Sequence, residues 1–176
     1  CLQQEGSVMS MVCEALFKKY VNQYQAGVAE GRLSKWVIGV TATGQRIEID
    51  LNSLKLGPFE KDKLIKCALE AEGAECYVYA TNVRIMDEET HKLSERVLIV
   101  CATAADYVGG DWGVMRAADG TMTLKPLGEW SGQDPEQTPG TWFLTDTILL
   151  EPDEQARYAA IWAELRDQCA ACDTNS

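Results

Sequence analysis

The sequence predicts an α+β fold, a single domain in which an antiparallel sheet of about six to seven strands carries three helices packed mainly on one face. Three observations lead there. Apolar residues recur at helical spacing in three separated stretches. Between them lie runs rich in β-branched and aromatic residues, the composition of strands. Neighbouring runs are joined by short turn segments, which suits antiparallel partners. The resulting order is α-β-β-α-β-β-β-β-β-α. With 176 residues the chain fits one domain, and its 46% hydrophobic and 24% charged content places it far from disorder.

The first helix is expected from Ser10, a suitable N-cap, because Val12, Cys13, Leu16, Phe17, Tyr20, Val21, Tyr24 and Val28 form one stripe. Gly27 and Gly31 weaken that pattern, and at WVIGV the period becomes that of a strand. ATGQ is turn chemistry. RIEIDL then alternates Ile47, Ile49 and Leu51 against Arg46, Glu48 and Asp50, so the hairpin has one wet face. Gly57 and Pro58 open a second helix carrying Leu64, Ile65, Ala68 and Leu69, with Phe59 as a packing residue at its start, and Gly73 closes it. AECYVYATNVRIM and RVLIVCATA read as two long strands. WGVMRA and TMTLKPL follow, joined through Asp119 and Gly120. Residues 128–140 form the longest loop, and TWFLTDTILL is expected to be a strand. Pro152 starts the last helix, whose inner face is Tyr158, Ile161, Trp162, Leu165 and Cys169. Residues 10–170 are therefore read as the domain, with 1–9 and 171–176 as flexible tails.

Charge narrows the partners. The net charge is −11, and from Glu129 onward ten acids face only Arg157 and Arg166. A phosphate backbone is repelled by such a surface, so direct nucleic-acid binding is not expected. A basic protein is the partner that suits it. No run reaches the roughly 18 apolar residues of a membrane span.

Seven cysteines make an odd count scattered through apolar patterns, which predicts reduced, buried thiols and a cytoplasmic protein. Cys1 followed by LQQEGS also resembles the mature end of a lipid-anchored surface protein, and Met9 or Met11 would serve as an alternative start.

Four places could carry chemistry. Residues 84–97, RIMDEETHKLSERV, set Asp87, Glu88 and Glu89 beside His91, the only histidine. A metal centre needs three or four convergent ligands with support behind them, whereas a hairpin tip in water accounts for this composition alone. Cys169 and Cys172 form a C-x-x-C pair, but at a helix C-terminus, where the dipole disfavours the thiolate. Pairing His91 with Cys76 or Cys101 would give a nucleophile and base, yet both cysteines fall inside strand patterns. No phosphate loop, dinucleotide fingerprint or nucleophile elbow is present. Catalytic residues, metal ligands and cofactors are therefore not assigned.

The fourth place is a set of tryptophans. Trp112, Trp130 and Trp142 stand near glycines and acids at strand ends, with Asp111 and Glu129 adjoining. Exposed tryptophan beside carboxylates is a binding-surface composition, while tryptophan at strand ends also serves to cover cores. The functional expectation is an interaction or regulatory module that binds a basic partner through Asp111, Trp112, Glu129, Trp130 and Trp142. The alternative is an enzyme using carboxylates in a cleft of the sheet.

Overall fold

A computed structural model of the protein describes residues 3–138 and 140–173, with side chains described for 12–138 and 140–168. It is an α+β domain with three helices and a six-stranded antiparallel sheet, as the sequence predicts. The elements are α1 (Gln3–Ala29), β1 (Trp36–Thr41), β2 (Arg46–Asp50), α2 (Pro58–Ala71), β3 (Ala74–Met86), β4 (Leu93–Thr103), β5 (Tyr107–Arg116), β6 (Met122–Gly132) and α3 (Pro152–Asp173). Across the sheet the order is β2-β1-β3-β4-β5-β6. No helix among the described residues is long and apolar enough to cross a membrane.

Of the expected stripe α1 buries Cys13, Phe17, Tyr20, Tyr24 and Val28, whereas Leu16 and Val21 are half-buried and Val12 is exposed. It begins at Gln3, so Ser10 lies inside the helix and does not cap it. Gly31 ends it at φ +85°, with Gly31 N–H donating to the Val28 carbonyl (2.9 Å) and Arg32 N–H to that of Gly27 (2.9 Å). That pair of bonds satisfies the last free carbonyls and needs the left-handed conformation a glycine adopts readily.

The packing corrects one expectation. The helices do not share a face: α2 and α3 cover one side of the sheet and α1 covers the other. Val37, Tyr77, Val100 and Ala102 point toward α2 and α3, while Ile38, Val78, Ile99 and Cys101 point toward α1. The physical reason is visible in β3 and β4, whose middles are apolar at successive positions, not alternating ones. A strand buried on both faces reads that way.

The other correction falls on residues 141–150, where turns stand in place of a strand. Thr141 and Thr145 bend the chain by donating their hydroxyls to the Thr138 (2.6 Å) and Trp142 (2.7 Å) carbonyls. Threonine that bonds to nearby backbone competes with a ladder. The segment is fixed to the domain from below. Phe143 inserts against Tyr77 and Tyr79 at 5.4 and 5.5 Å between ring centroids. The Tyr77 hydroxyl donates to the Gly140 carbonyl (2.9 Å) and accepts from Phe143 N–H (3.3 Å). Lys66, buried on α2, donates to the Thr145 carbonyl (2.7 Å) and pairs with Glu70 (2.7 Å). α3 closes this side, since Glu72 accepts bonds from Trp162 Nε1 (2.9 Å) and Arg166 (2.8 Å).

Candidate functional site

The sheet's wet strand creates the site. On β2 the apolar residues Ile47 and Ile49 turn toward α2 and α3, which leaves Arg46, Glu48 and Asp50 on the side of α1. α1 meets that row only at Arg46, whose guanidinium lies 5.8 Å from the centroid of the Tyr20 ring, and leaves Glu48 and Asp50 open. A groove of about 490 Å³ remains between the C-terminal half of α1 and the β1–β2 hairpin. Its volume lies in the range of small-ligand clefts.

The half-buried Trp36 and the buried Tyr24 are aromatic components of the groove lining, their ring centroids 6.2 Å apart. Tyr24 is held in place by donating its hydroxyl to the Ser34 carbonyl (2.8 Å), and burial pushes its pKa up to about 12, so it stays neutral. Trp36 opposes Asp50 in the β1–β2 register, which sets the indole beside a carboxylate. Glu48 and Asp50 have no cationic partner within salt-bridge distance among the described residues. Gln23 and Asn52 add side-chain amides, and an added Cβ on Gly27 would meet no atom within 4 Å, so the helix wall is open there. Tyr20 packs against Trp36 (5.6 Å) with a buried hydroxyl that has no hydrogen-bond partner among the described residues. Arg32 also lines the groove, its guanidinium paired with Glu30, so beside that satisfied pair the groove offers aromatic faces and the carboxylates of Glu48 and Asp50, a combination that attracts an organic cation.

Two other depressions differ in their charge. One of about 610 Å³ lies between β2 and α3 and shares Glu48 and Asp50 of β2 with the groove, but Arg46 and Arg166 also line it and its Glu72 is already engaged by Trp162 and Arg166. The other, about 790 Å³, lies at the far end of β4–β6, where Glu95 bridges Arg84 (3.4 Å) and Arg116 (2.8 Å).

The residues singled out from the sequence are placed differently. Trp112 is 3% exposed and packs beneath α1, its ring 6.2 Å from Phe17, so it offers no binding surface. Trp130 and Trp142 are half-buried on the opposite side of the sheet, packed against the α2 and α3 core. Trp142 Nε1 is buried without a partner among the described residues. Asp111 faces Arg96 at 3.6 Å, and Glu129 is exposed. The three tryptophans are thus split between two faces and do not form one rim. The glycines of YVGGDWG explain why: a Cβ on Gly110 would sit 2.7 Å from the Trp112 ring and one on Gly109 would sit 3.0 Å from that of Trp130. Both indoles lie over bare backbone that only glycine provides.

The His91 segment is the tip of the β3–β4 hairpin, and residues 86–94 are exposed throughout. Asp87 Oδ1 accepts the N–H groups of Glu89 (3.0 Å) and Thr90 (2.7 Å), bonds that hold its carboxyl below the usual range. No group of three or more His, Cys, Asp or Glu among the described residues is arranged to hold a metal. Cys13, Cys67, Cys76 and Cys101 are free and buried. Burial raises the Cys76 thiol to about 12, and contact with Cys13 together with burial raises that of Cys101, so neither is a ready nucleophile. Cys1 lies outside the described residues, as do the side chains of Cys169 and Cys172. Asp62, on α2, is the one acid among the described residues raised by burial, and it stands apart from the groove.

Sequence reasoning missed Trp36, Glu48 and Asp50 as a group, although the signal was present. The alternation in RIEID marks the wet face, and counting back through the ATGQ turn sets Trp36 opposite Asp50. No family model, curated protein or solved structure matches the chain.

Proposed function

We propose that the protein is an interaction module of the cytoplasm that binds a basic partner protein, and that a lysine or arginine side chain of the partner enters the groove between α1 and β2. The observation that carries this reading is the half-buried Trp36 beside the carboxylates of Glu48 and Asp50, which make no salt bridge among the described residues. A cation over an indole contributes about 0.5–1 kcal/mol when exposed and about 2 when desolvated. The net charge of −11 adds a long-range field that speeds encounter with a basic surface and weakens as salt screens it. Four free buried thiols support a reducing location.

A titration of isotope-labelled protein with a tri-arginine peptide, its ends blocked, tests the reading by nuclear magnetic resonance. The Trp36 indole N–H and the side-chain amides of Gln23 and Asn52 should shift saturably, and a Glu48→Gln/Asp50→Asn variant should abolish those shifts. Shifts spread evenly over the acidic surface, or unchanged in the variant, would sink the proposal.

A further inference from the structure

The sheet has a third edge, inside its own outline. β1 pairs with β3 only over residues 74–80, yet β3 runs on to Met86. Residues 81–86 therefore lack a neighbouring strand on the β1 side, and no loop among the described residues gives them backbone hydrogen bonds there. At about 3.3 Å per residue this step is roughly 20 Å long.

The two outer edges are guarded against pairing. β6 carries Lys125, Pro126 and a register shift opposite Asp111 and Trp112. β2 is five residues long and charged at every second position. Such features keep an edge from acting as a template. The β3 step is also short, but it has no proline, register shift or alternating charge: Thr81 is buried, Asn82 half-buried, and apart from Arg84 the outer part shows Val83, Ile85 and Met86, which are 42%, 41% and 59% exposed.

From this contrast we infer that the β3 step is a docking site for an extended segment of a partner protein, which adds to the sheet as a strand in line with β1. An extended backbone is the occupant because only its donors and acceptors repeat at the spacing of the open edge. A second copy of this chain is disfavoured, since each copy brings a net charge of −11. The exposed carboxylates of Glu88 and Glu89 stand just beyond the step and suit a lysine or arginine near the end of the added strand. Alternate side chains of that strand would lie beside Val83 and Ile85 and be apolar. The charge of the occupant rests on the basic-partner reading above, whereas the edge itself does not.

Selection of a phage-displayed library of random dodecapeptides on the full chain tests the inference without a known partner. Enriched peptides should alternate apolar residues and carry a lysine or arginine toward one end. Once synthesised, they should lose at least about tenfold in affinity on N-methylation of alternate amides, and as much against a Val83→Lys/Ile85→Lys protein. Both substituted positions are exposed, and an unchanged melting temperature would show that the variant folds. The same peptides should bind the Glu48→Gln/Asp50→Asn protein normally, which separates this edge from the groove. Enrichment of no peptide, binding that survives the two lysines, or loss only in the groove variant would each overturn the inference. Edge peptides without a basic residue would leave the docking mode standing and overturn the charge assignment.

Discussion

Tryptophan meets carboxylate in two regions of this molecule, with opposite results. Around β5 and β6 the indoles of Trp112 and Trp130 lie over Gly110 and Gly109, and Asp111 faces Arg96, so aromatic surface and charge are largely spent inside the domain. At the β1–β2 hairpin, Trp36 is half-buried beside a groove, and Glu48 and Asp50 make no salt bridge among the described residues. Composition is the same in both. What differs is the neighbour: a glycine beneath a ring marks a place where the ring lies down on the sheet, and a charged strand face beside a ring marks a place where it stays open.

The largest expected effect breaks this comparison if it fails. Trp112→Ala should cost about 3–5 kcal/mol, the range for removing a buried aromatic side chain, and Trp36→Ala roughly half of that or less. Urea denaturation of the two variants measures the difference. Equal costs would mean that Trp36 is core and the groove is not a surface.

Glycine substitutions sharpen the same contrast. Gly110→Ala should cost about 1–3 kcal/mol, because its Cβ would meet the Trp112 ring at 2.7 Å and the Gly128 carbonyl at 3.3 Å. Gly27→Ala, beside the groove on α1, should stabilise by about 0.5–1 kcal/mol, since the position is helical with open space around it. Thermal unfolding should therefore move in opposite directions for the two changes.

A pH series adds a smaller effect. Burial holds Cys76 at about 12 against an ordinary value of 9.0, and Tyr24 at about 12 against 10.0. The unfolded chain releases these protons first. Their stabilising contribution is thus fully present below pH 9.0 and is lost as pH rises toward about 12. Urea midpoints should fall progressively above pH 9.0, and Cys76→Ala should flatten part of that slope. A flat profile would contradict the burial of the α1 face.

Much of the fold was legible because pattern and position agree. The α1 stripe, the wet alternation of β2, Pro58 and Gly73 around α2, and the Asp119–Gly120 turn each state their structure locally. The coverage of both faces was equally present in the unbroken apolar runs of β3 and β4, but a run has to be weighed against alternation before it says so. Residues 141–150 misled because threonine and aromatic residues favour strands, while Thr141 and Thr145 here bond to their own backbone and Phe143 is captured by Tyr77 and Tyr79. That capture is tertiary and has no local sign. The groove depends on a pairing register and on where α1 stops covering the sheet, and only the first of these can be counted from the chain.

The smallest expected effect tests the free charge itself. Asp111→Asn weakens a partly exposed pair with Arg96 and should lower stability by about 0.2–1 kcal/mol, as such pairs do. Glu48→Gln and Asp50→Asn remove charges that make no salt bridge among the described residues, and Asn at position 50 keeps the oxygen that accepts the Asn52 N–H (2.9 Å). In a chain of net charge −11, neutralising them also relieves self-repulsion. Their effect should stay within about 0.5 kcal/mol and lean toward stabilisation, most visibly at low salt. Denaturation of the three variants at low and high ionic strength gives the sign. A clear loss in the Glu48 and Asp50 variants would show that these carboxylates are bound within the domain, and the groove would then resemble the β5–β6 region after all.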